Sequence, residues 1–575
     1  MSSKPVAEHH LQKEDDCALT FISDSSKIQS VSSLKQFLIS CYGPSGKTKY
    51  TQNRHGALMA LSRSSKRLLS NSTFVSPISQ LVASSIQQHL AAFSDNGLFM
   101  GIFMLSLVEG SITENIHSKL CGEINTLLMD VCLEAMGAVA NQLDLSNMGA
   151  MLSLVSSIFE SKTSGWMTMT EIKLLSSLVL QAVVSSLPNE IPKNIIIPHI
   201  EFHCTGGQSV TKSHLMTGVI VEVSKNTHIA LETWTAQRCS TSVPIKVALF
   251  NTSLAVDEEP LPGVSLESDR ILDVEEFEMF QMKSFADKLK LADVSFVGCQ
   301  KVIHPSLVKM LTERGILCVD RLSLVHIGAV QKLTGASLLS SMNCDLLPGS
   351  LGLLSDVTSC WVFDQRFLHL TSSMKSVTTV ILCHRTETCL EELKHIFGVA
   401  LHIACLSICH CEVVPGAGLL EEHLVRTVQE KAREISHETS TKLGCSQHQF
   451  MTVTEVFVSS LECIRKSLFN GKPSSRSVSP SATKAPSHSR GEGKTGEGIM
   501  NFNERLYEFD ADCHKDDCTE FWQPITAVHE DGRVTNQNQK HRVVDLLLVK
   551  RNAFKMAVEM ANLILSIGAV SATPL

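Results

Sequence analysis

The segment FSDNGLF, residues 93–99, connects two apolar stretches that each have the length and composition of a helix. Before it, residues 76–92 read SPISQLVASSIQQHLAA, and Pro77 suits the first position of a helix. After it, residues 98–108 read LFMGIFMLSLV. A carboxylate beside a glycine at a helix start either caps the helix or holds a metal-bound phosphate. The segment therefore predicts two helices joined by a turn in which Asp95 has one of these roles.

The composition is that of a large globular protein. The chain has 575 residues, 43% hydrophobic and 19% charged, with a net charge of −8. One hydrophobic core stops growing at roughly 250–300 residues, so two to four domains are expected. The acidic balance argues against nucleic-acid binding. The 19 cysteines are scattered without a paired framework, and with the polar start of the chain this favours reduced, intracellular thiols.

Apolar runs are too short for a membrane span, which needs about 18 residues or more. The longest run, residues 396–409, contains His402 and predicts a buried core helix. Its face with His402, Cys405 and Cys409 has the spacing of a zinc site, but the surrounding apolar residues favour buried thiols and a core histidine. No membrane insertion is expected.

The order of periodic patterns predicts an α+β multidomain protein. Helical patterns fill roughly the first third of the chain and return after residue 387. Short β-branched strands begin near residue 194, and strands alternate with helices over residues 294–341, which indicates an α/β layer. Residues 360–370 predict a single strand. This nesting suggests a helical domain built from both chain ends with an α/β domain inserted in the middle.

Residues 471–498 interrupt the last helical part. They are rich in serine, proline, glycine and basic residues, with almost no large apolar side chain. Such a segment cannot bury enough apolar surface to offset the entropy of ordering. The sequence therefore predicts a disordered insertion here.

Two glycine turns could face a phosphate. Gly416-Ala417-Gly418 precedes a helix, and a simple helix-start turn is the favoured interpretation. Gly46-Lys47-Thr48 resembles the end of a Walker A loop, but Cys41 stands where that loop needs glycine, and a helix precedes it instead of a strand. Neither turn identifies a function alone.

Together with the domain order, several motifs resemble the group II chaperonins, the family of the TRiC/CCT ring subunits. The motifs are YGPSG at 42–46, VVPGAGLLE at 413–421, CQK at 299–301 with GIL at 315–317, and DLLLVKRNAFKMAVEMANLILSI at 545–567. A closer likeness, in SCYGPSG, FSDNGLF, KVALF and CQKVIHPSL, is to the chaperonin-like branch associated with Bardet–Biedl syndrome. The resemblance covers nearly the whole chain.

The resemblance implies a chaperonin subunit of three domains. The helical equatorial domain would comprise residues 1–149 and 414–575, the small hinge-like intermediate domain 150–217 and 371–413, and the inserted α/β apical domain 218–370. The nucleotide would lie near Gly43, Pro44, Gly46, Asp95, Gly97, Gly416, Gly418 and Asp545, with Asp95 as the Mg²⁺ ligand.

The sequence departs from the family where the ATP chemistry is performed. The family's GDGTT turn corresponds to residues 94–98, where the flanking glycines and both threonines are replaced. Arg63 and Val399 stand near the positions of two catalytic aspartates. Loss of a positioned acid or base costs about 10²–10⁴ in rate, and phosphoryl transfer depends largely on positioning. The sequence predicts negligible ATP hydrolysis, while weak binding of ATP and Mg²⁺ stays open.

The resemblance also implies partners. They are other chaperonin-like Bardet–Biedl proteins, the TRiC/CCT chaperonin, and subunits of the BBSome ciliary complex as clients. Expected locations are the cytoplasm, the centrosome with its pericentriolar material, the ciliary basal body, and the nucleus. Two alternatives are an ATP-dependent folding chaperone that forms a ring, and a centrosomal scaffold without chaperone action.

Overall fold

The computed structural model describes residues 18–21, 24–52, 58–163, 165–186, 199–238, 244–255, 274–342, 344, 346–373, 377–469 and 543–572. The predicted insertion at 471–498 lies outside these residues. The chain forms two compact units, Met1–Ile172 with His402–Leu575, and Lys173–Leu401. The finer division into equatorial, intermediate and apical domains stays a prediction.

The described helices follow the apolar periodicity closely. In chain order, α1 to α15 are Asp24–Ile39, Ser65–Ser70, Pro77–Phe93, Gly97–Thr113, Ser118–Val139, Met148–Thr163, Met169–Ser186, Lys225–Gln237, Val274–Leu291, Pro305–Glu313, Leu324–Thr334, Glu387–Cys409, Leu419–Leu443, Gln447–Phe469 and Leu547–Ser566. Pro77 occupies the first turn of α3, as predicted. Helix α8 was not predicted, because its sequence KNTHIALETWTAQ is polar and has weak helical periodicity.

The described strands are mostly short. In chain order, β1 to β18 are Ala18–Phe21, Lys49–Gln52, Leu58–Ser62, Asn141–Gln142, Ile200–Gly206, His214–Thr217, Val219–Val221, Ile245–Phe250, Phe296–Cys299, Leu317–Val319, Leu338–Leu339, Gly352–Leu354, Asp356–Val362, Gln365–Thr371, Thr378–His384, Glu412–Pro415, Val544–Leu546 and Ala569–Ala572. Several strands of two to four residues have too little alternation to be found from sequence.

The single strand predicted over residues 360–370 is wrong. The structure has a hairpin of β13 and β14, in which Val362 faces Gln365 across the turn. Phe363 takes a left-handed backbone conformation with φ of 53°. The apolar pattern continues through this turn and no glycine marks it, so the break between the two strands could not be recognised from sequence.

Helix α4 is the centre of the first unit and is buried along most of its length. It packs against α1, α14 and α15. Phe103 of α4 stacks on Phe554 with ring centroids 4.9 Å apart and meets Phe457 edge-on at 5.5 Å. A helix that is apolar on all sides belongs in a core. The turn at residues 94–96 is therefore fixed at the start of the most buried helix.

Small antiparallel sheets complete the first unit. Strand β16 pairs with both β17 and β4, and Val414 lies opposite Asp545. Strand β1 pairs with β18, and β2 with β3. The β16–β17 pairing brings the turn at residues 416–418 close to Asp545.

The second unit contains the predicted α/β layer. Strands β10, β9, β8 and β11 are parallel neighbours, and β12 pairs antiparallel with β8. Successive side chains of β8 enter opposite cores: Val247 and Leu249 join α8 and α11, whereas Ala248 and Phe250 join α9 and α10. Helices on both faces of a mainly parallel sheet explain its almost continuous apolar strand sequences.

Two further sheets belong to the second unit. One has the order β13-β14-β7, and in the other β15 pairs parallel with β5 and antiparallel with β6.

Among the described helices, only α12 is long and apolar enough to cross a membrane, and 67% of its apolar window is buried within the chain. Such burial is typical of a core helix.

Candidate functional site

The turn between α3 and α4 keeps a strained backbone. Ser94 and Asn96 are left-handed, with φ of 61° and 62°. Such a conformation costs a non-glycine residue about 1–3 kcal/mol and persists where surrounding contacts impose it. Gly97 follows at the start of α4, and a Cβ added there would lie 2.6 Å from Ser65 Oγ. Close packing, not a positive φ, therefore requires this glycine.

Asp95, in the turn, is contacted by side chains from two helices. Its Oδ1 lies 2.6 Å from Lys162 Nζ of α6, and its carbonyl oxygen lies 2.9 Å from His89 Nε2 of α3. Burial opposes ionisation of Asp95, but the charge and hydrogen bond of Lys162 prevail and hold the pKa of that carboxyl below its usual value. Asp95 is thus an ionised partner in an internal ion pair.

Of the two roles considered for Asp95, the capping role is wrong. Asn96 is the N-cap residue of α4, and its side chain makes no capping hydrogen bond. The Asp95 carboxylate instead accepts from Lys162 and from the backbone N–H of Asn96. The Asp95 carboxylate thus pairs with a lysine that lies 67 positions further along the chain, and it does not cap α4.

Ser94 contacts the last third of α12. Its Oγ lies 2.6 Å from His402 Nδ1, and both residues are half-buried. Burial, together with the positive charge of Lys66, lowers the pKa of His402. The ring is therefore neutral at physiological pH, and its Nδ1 is paired with the hydroxyl in either tautomer.

A second buried ion network lies beside this turn. Lys550 Nζ of α15 is 2.8 Å from Glu421 Oε1 and 3.4 Å from Asp545 Oδ2. The Lys550 and Glu421 side chains are only 3% and 2% exposed. The ammonium also lies 3.8 Å from the ring centroid of Phe99, which adds a cation–π contact. Lys550 is fully enclosed by acceptors and an aromatic face.

The pKa values in this network reflect the balance of burial and pairing. Burial alone would lower the pKa of Lys550, but Glu421 and Asp545 raise it above its usual value. Burial raises the pKa of Asp545; Lys550 opposes this shift, while Glu421 and Asp95 add to it. Asp95 and Asp545 are therefore within electrostatic reach of each other.

Tyr42 belongs to the same network. Burial raises the pKa of its phenol, a shift opposed by Lys550 and reinforced by Glu421, Asp545 and Asp95. Next to it, the turn containing Gly43, Pro44 and Gly46 connects α1 to β2. The neutral phenol of Tyr42 therefore borders the charged groups of this region, which are Lys162, Lys550, Asp95, Asp545 and Glu421.

Arg63 closes the turn at residues 43–46. Its Nη2 donates a hydrogen bond to the Gly43 carbonyl. A Cβ at Gly46 would lie 2.6 Å from the same nitrogen, so the guanidinium packs directly against this glycine. Arg63 is only 3% exposed, and burial lowers its pKa. Near the position at which the resemblance implies a catalytic aspartate, this chain has a buried arginine that binds the loop backbone.

The second glycine turn lies at the start of α13. Ala417 and Gly418 are left-handed, with φ of 55° and 88°. The Gly416 N–H donates to the Val543 carbonyl at 3.0 Å. Glu421 follows in the first turn of α13. This turn therefore positions Glu421 to receive Lys550.

Val399 lies in α12, within the second unit, and is 3% exposed. Its side chain has no proton-accepting atom. The structure thus gathers Asp95, Asp545 and the glycine turns in the first unit, whereas Val399 belongs to the other unit.

The arrangement fits a magnesium-bound nucleotide poorly. Mg²⁺ in such sites is held by one or two carboxylates together with substrate phosphates. Here the Asp95 carboxylate holds Lys162, while Asp545 and Glu421 hold Lys550. Within the described ranges, no three His, Cys, Asp or Glu side chains are grouped to hold a metal ion. The predictions of vestigial nucleotide and Mg²⁺ binding stay predictions.

Sequence reasoning missed the cations of this site. Lys162 lies near the end of α6 and has no distinguishing pattern around it. Lys550 does carry a signal, because it falls on the apolar face formed by Leu547 and Phe554 of α15. A charge on such a face indicates a buried partner, here Glu421.

Comparison with known proteins identifies the family. Residues 34–475 match the TCP-1/cpn60 chaperonin family. The chain belongs to this chaperonin family. It is 30% identical to the mouse protein named molecular chaperone MKKS over 449 residues, which covers 77% of this chain and 78% of that chaperonin-like relative.

Two further chaperonin relatives extend the comparison. The human protein named molecular chaperone MKKS is 28% identical over 565 residues, 94% of this chain and 95% of the relative. Thermosome subunit alpha of Methanothermobacter thermautotrophicus is 26% identical over 275 residues, 46% of this chain and 47% of the relative. These findings confirm the resemblance to this chaperonin-like branch, which the sequence motifs indicated, and the α+β chaperonin fold class.

Proposed function

We propose that this chaperonin-like protein is an assembly factor that binds partner proteins without turning over ATP. The observation that carries the proposal is the Asp95–Lys162 ion pair at 2.6 Å. The residue expected to hold Mg²⁺ is neutralised by the chain itself. Lys550 is paired in the same way with Glu421 and Asp545.

The losses around the turn act together. Val399 offers no base for water activation, and Arg63 occupies its loop as a structural cation. Each lost catalytic group alone would reduce hydrolysis by about 10²–10⁴. Because phosphoryl transfer depends on positioned charges, these changes combine to remove useful turnover.

The proposed clients are subunits of the BBSome, handled together with other chaperonin-like Bardet–Biedl proteins and TRiC/CCT. The relatives named molecular chaperone MKKS support the chaperone part of this proposal. The ciliary part rests on the sequence resemblance. Action in the cytoplasm, at the centrosome and at the ciliary basal body belongs to the same proposal, with the nucleus as a further compartment.

A co-expression assay tests this function. BBSome subunits are produced with the other chaperonin-like partners and TRiC/CCT, with or without this chain, and the assembled complex is measured by native sizing. We expect a higher yield with the chain, and the same gain with Asp95→Ala. A yield unaffected by the chain would contradict the proposal and favour a scaffold without chaperone action.

An ATP-driven ring chaperone is the second candidate. The observation in its favour is that the glycine turns and Asp95 lie near Asp545 in one unit. This candidate requires the gain in assembled complex to disappear with Asp95→Ala.

A further inference from the structure

The turn at residues 94–96 is connected to three helices by side chains. His89 of α3 and Lys162 of α6 contact Asp95, and His402 of α12 contacts Ser94. His402 is the residue at which the chain re-enters the first unit. The turn therefore holds the first-unit end of α12.

We infer that the Ser94–His402 hydrogen bond is a latch that fixes the end of α12 to the turn without a nucleotide. The two residues are 308 positions apart, yet Oγ and Nδ1 lie 2.6 Å from each other. The bond therefore joins two segments that are far apart in the chain. This inference goes beyond the proposed function, since it concerns the conformational state of the first unit.

The contacts around the latch support its independence from nucleotide. Lys162 already neutralises the neighbouring Asp95, so this carboxylate needs no bound cation. His89 precedes the turn in the chain, and its ring nitrogen Nε2 lies 2.9 Å from the Asp95 carbonyl oxygen. With Asp95 held on both its backbone and its side chain, Ser94 is presented to His402 by the protein alone.

Hydrogen–deuterium exchange of the full-length chain tests the latch. Ser94→Ala and His402→Gln should each speed exchange at both residues 94–98 and 402–409, roughly 2- to 12-fold, as expected for one lost hydrogen bond. The double variant should exchange no faster than either single one, because both changes remove the same bond. His402→Asn, whose amide can replace Nδ1, should retain most of the protection.

Ser161→Ala is the matched control, because the Ser161 hydroxyl bonds only to the local Ile158 carbonyl in the described structure. It should leave both segments unchanged. Faster exchange confined to the mutated segment, or additive effects in the double variant, would overturn the latch.

Addition of millimolar Mg–ATP to the wild-type chain separates the latch from nucleotide control. We expect unchanged exchange in both segments. Protection of both segments by Mg–ATP would overturn nucleotide independence. The readout requires neither clients nor hydrolysis, so its failure is distinguishable from failure of the proposed function.

Discussion

At the scale of single residues, the turn at 94–97 shows a carboxylate, Asp95, that is held by a lysine of the same chain. Asp95 is predictable from sequence as a conspicuous carboxylate between two apolar helices. Its partner is not predictable, because Lys162 is distant in the chain and the pairing depends on how α6 packs. The sequence therefore singles out Asp95 but does not identify the lysine that pairs with it.

Gly97 provides a prediction at this scale. In Gly97→Ala the new methyl group would meet Ser65 Oγ at 2.6 Å, Leu90 Cδ1 at 2.9 Å and Ile86 Cγ2 at 3.0 Å. Overpacking of this kind costs about 1–3 kcal/mol of stability. Urea denaturation should show a lower midpoint for this variant than for the wild type.

Gly137→Ala is its control in a helix. No atom lies within 4 Å of a Cβ added at Gly137. Alanine should stabilise the exposed helical position by about 0.4–1 kcal/mol. Equal midpoints for the two alanine variants would show that the space around Gly97 does not constrain it.

At the scale of elements, the buried Lys550–Glu421 pair connects α15 to α13. Apolar periodicity predicts helices over residues 418–437 and 545–566, and the structure has them at Leu419–Leu443 and Leu547–Ser566. The β16–β17 pairing that aligns them was missed, because β17 is three residues long and directly precedes α15. The two helices were thus predicted from the sequence, whereas the contacts between these elements were not.

Removing one partner of the pair should be costly. Lys550→Met would leave Glu421 charged at 2% exposure, and breaking a buried pair in this way costs about 3–5 kcal/mol. Lys550→Met/Glu421→Gln should lose less than the sum of the single changes, because no charge is stranded at Glu421. Thermal unfolding followed by circular dichroism measures these differences.

Lys442→Met is the matched control on α13. Lys442 lies 2.6 Å from Glu438, but both side chains are more than 70% exposed. Solvent screens this pair, so the variant should unfold like the wild type. If Lys550→Met proved as stable as Lys442→Met, the buried network would have no structural role.

At the scale of the whole molecule, the sequence predicts an α+β chaperonin chain, and its family membership confirms this. The alternation of strands and helices over residues 294–341 predicts the α/β layer, and in the structure the strands of this layer contribute side chains to a core on each face. The ion pairs that neutralise the candidate site depend on residues drawn from both ends of the chain, including Lys162 and Lys550. Periodicity indicates that Lys550 has a buried partner but does not identify that partner, and it gives no signal for Lys162.

The central claim, that this chaperonin-like chain does not use ATP hydrolysis, is tested most directly by phosphate release. The purified full-length chain is incubated with saturating Mg–ATP, beside Asp95→Ala and Val399→Asp. We predict release at the background rate for all three, since Val399→Asp restores one group while the turn at 94–98 remains altered. Turnover by the wild type that is lost in Asp95→Ala, or recovery of activity by Val399→Asp alone, would contradict the account.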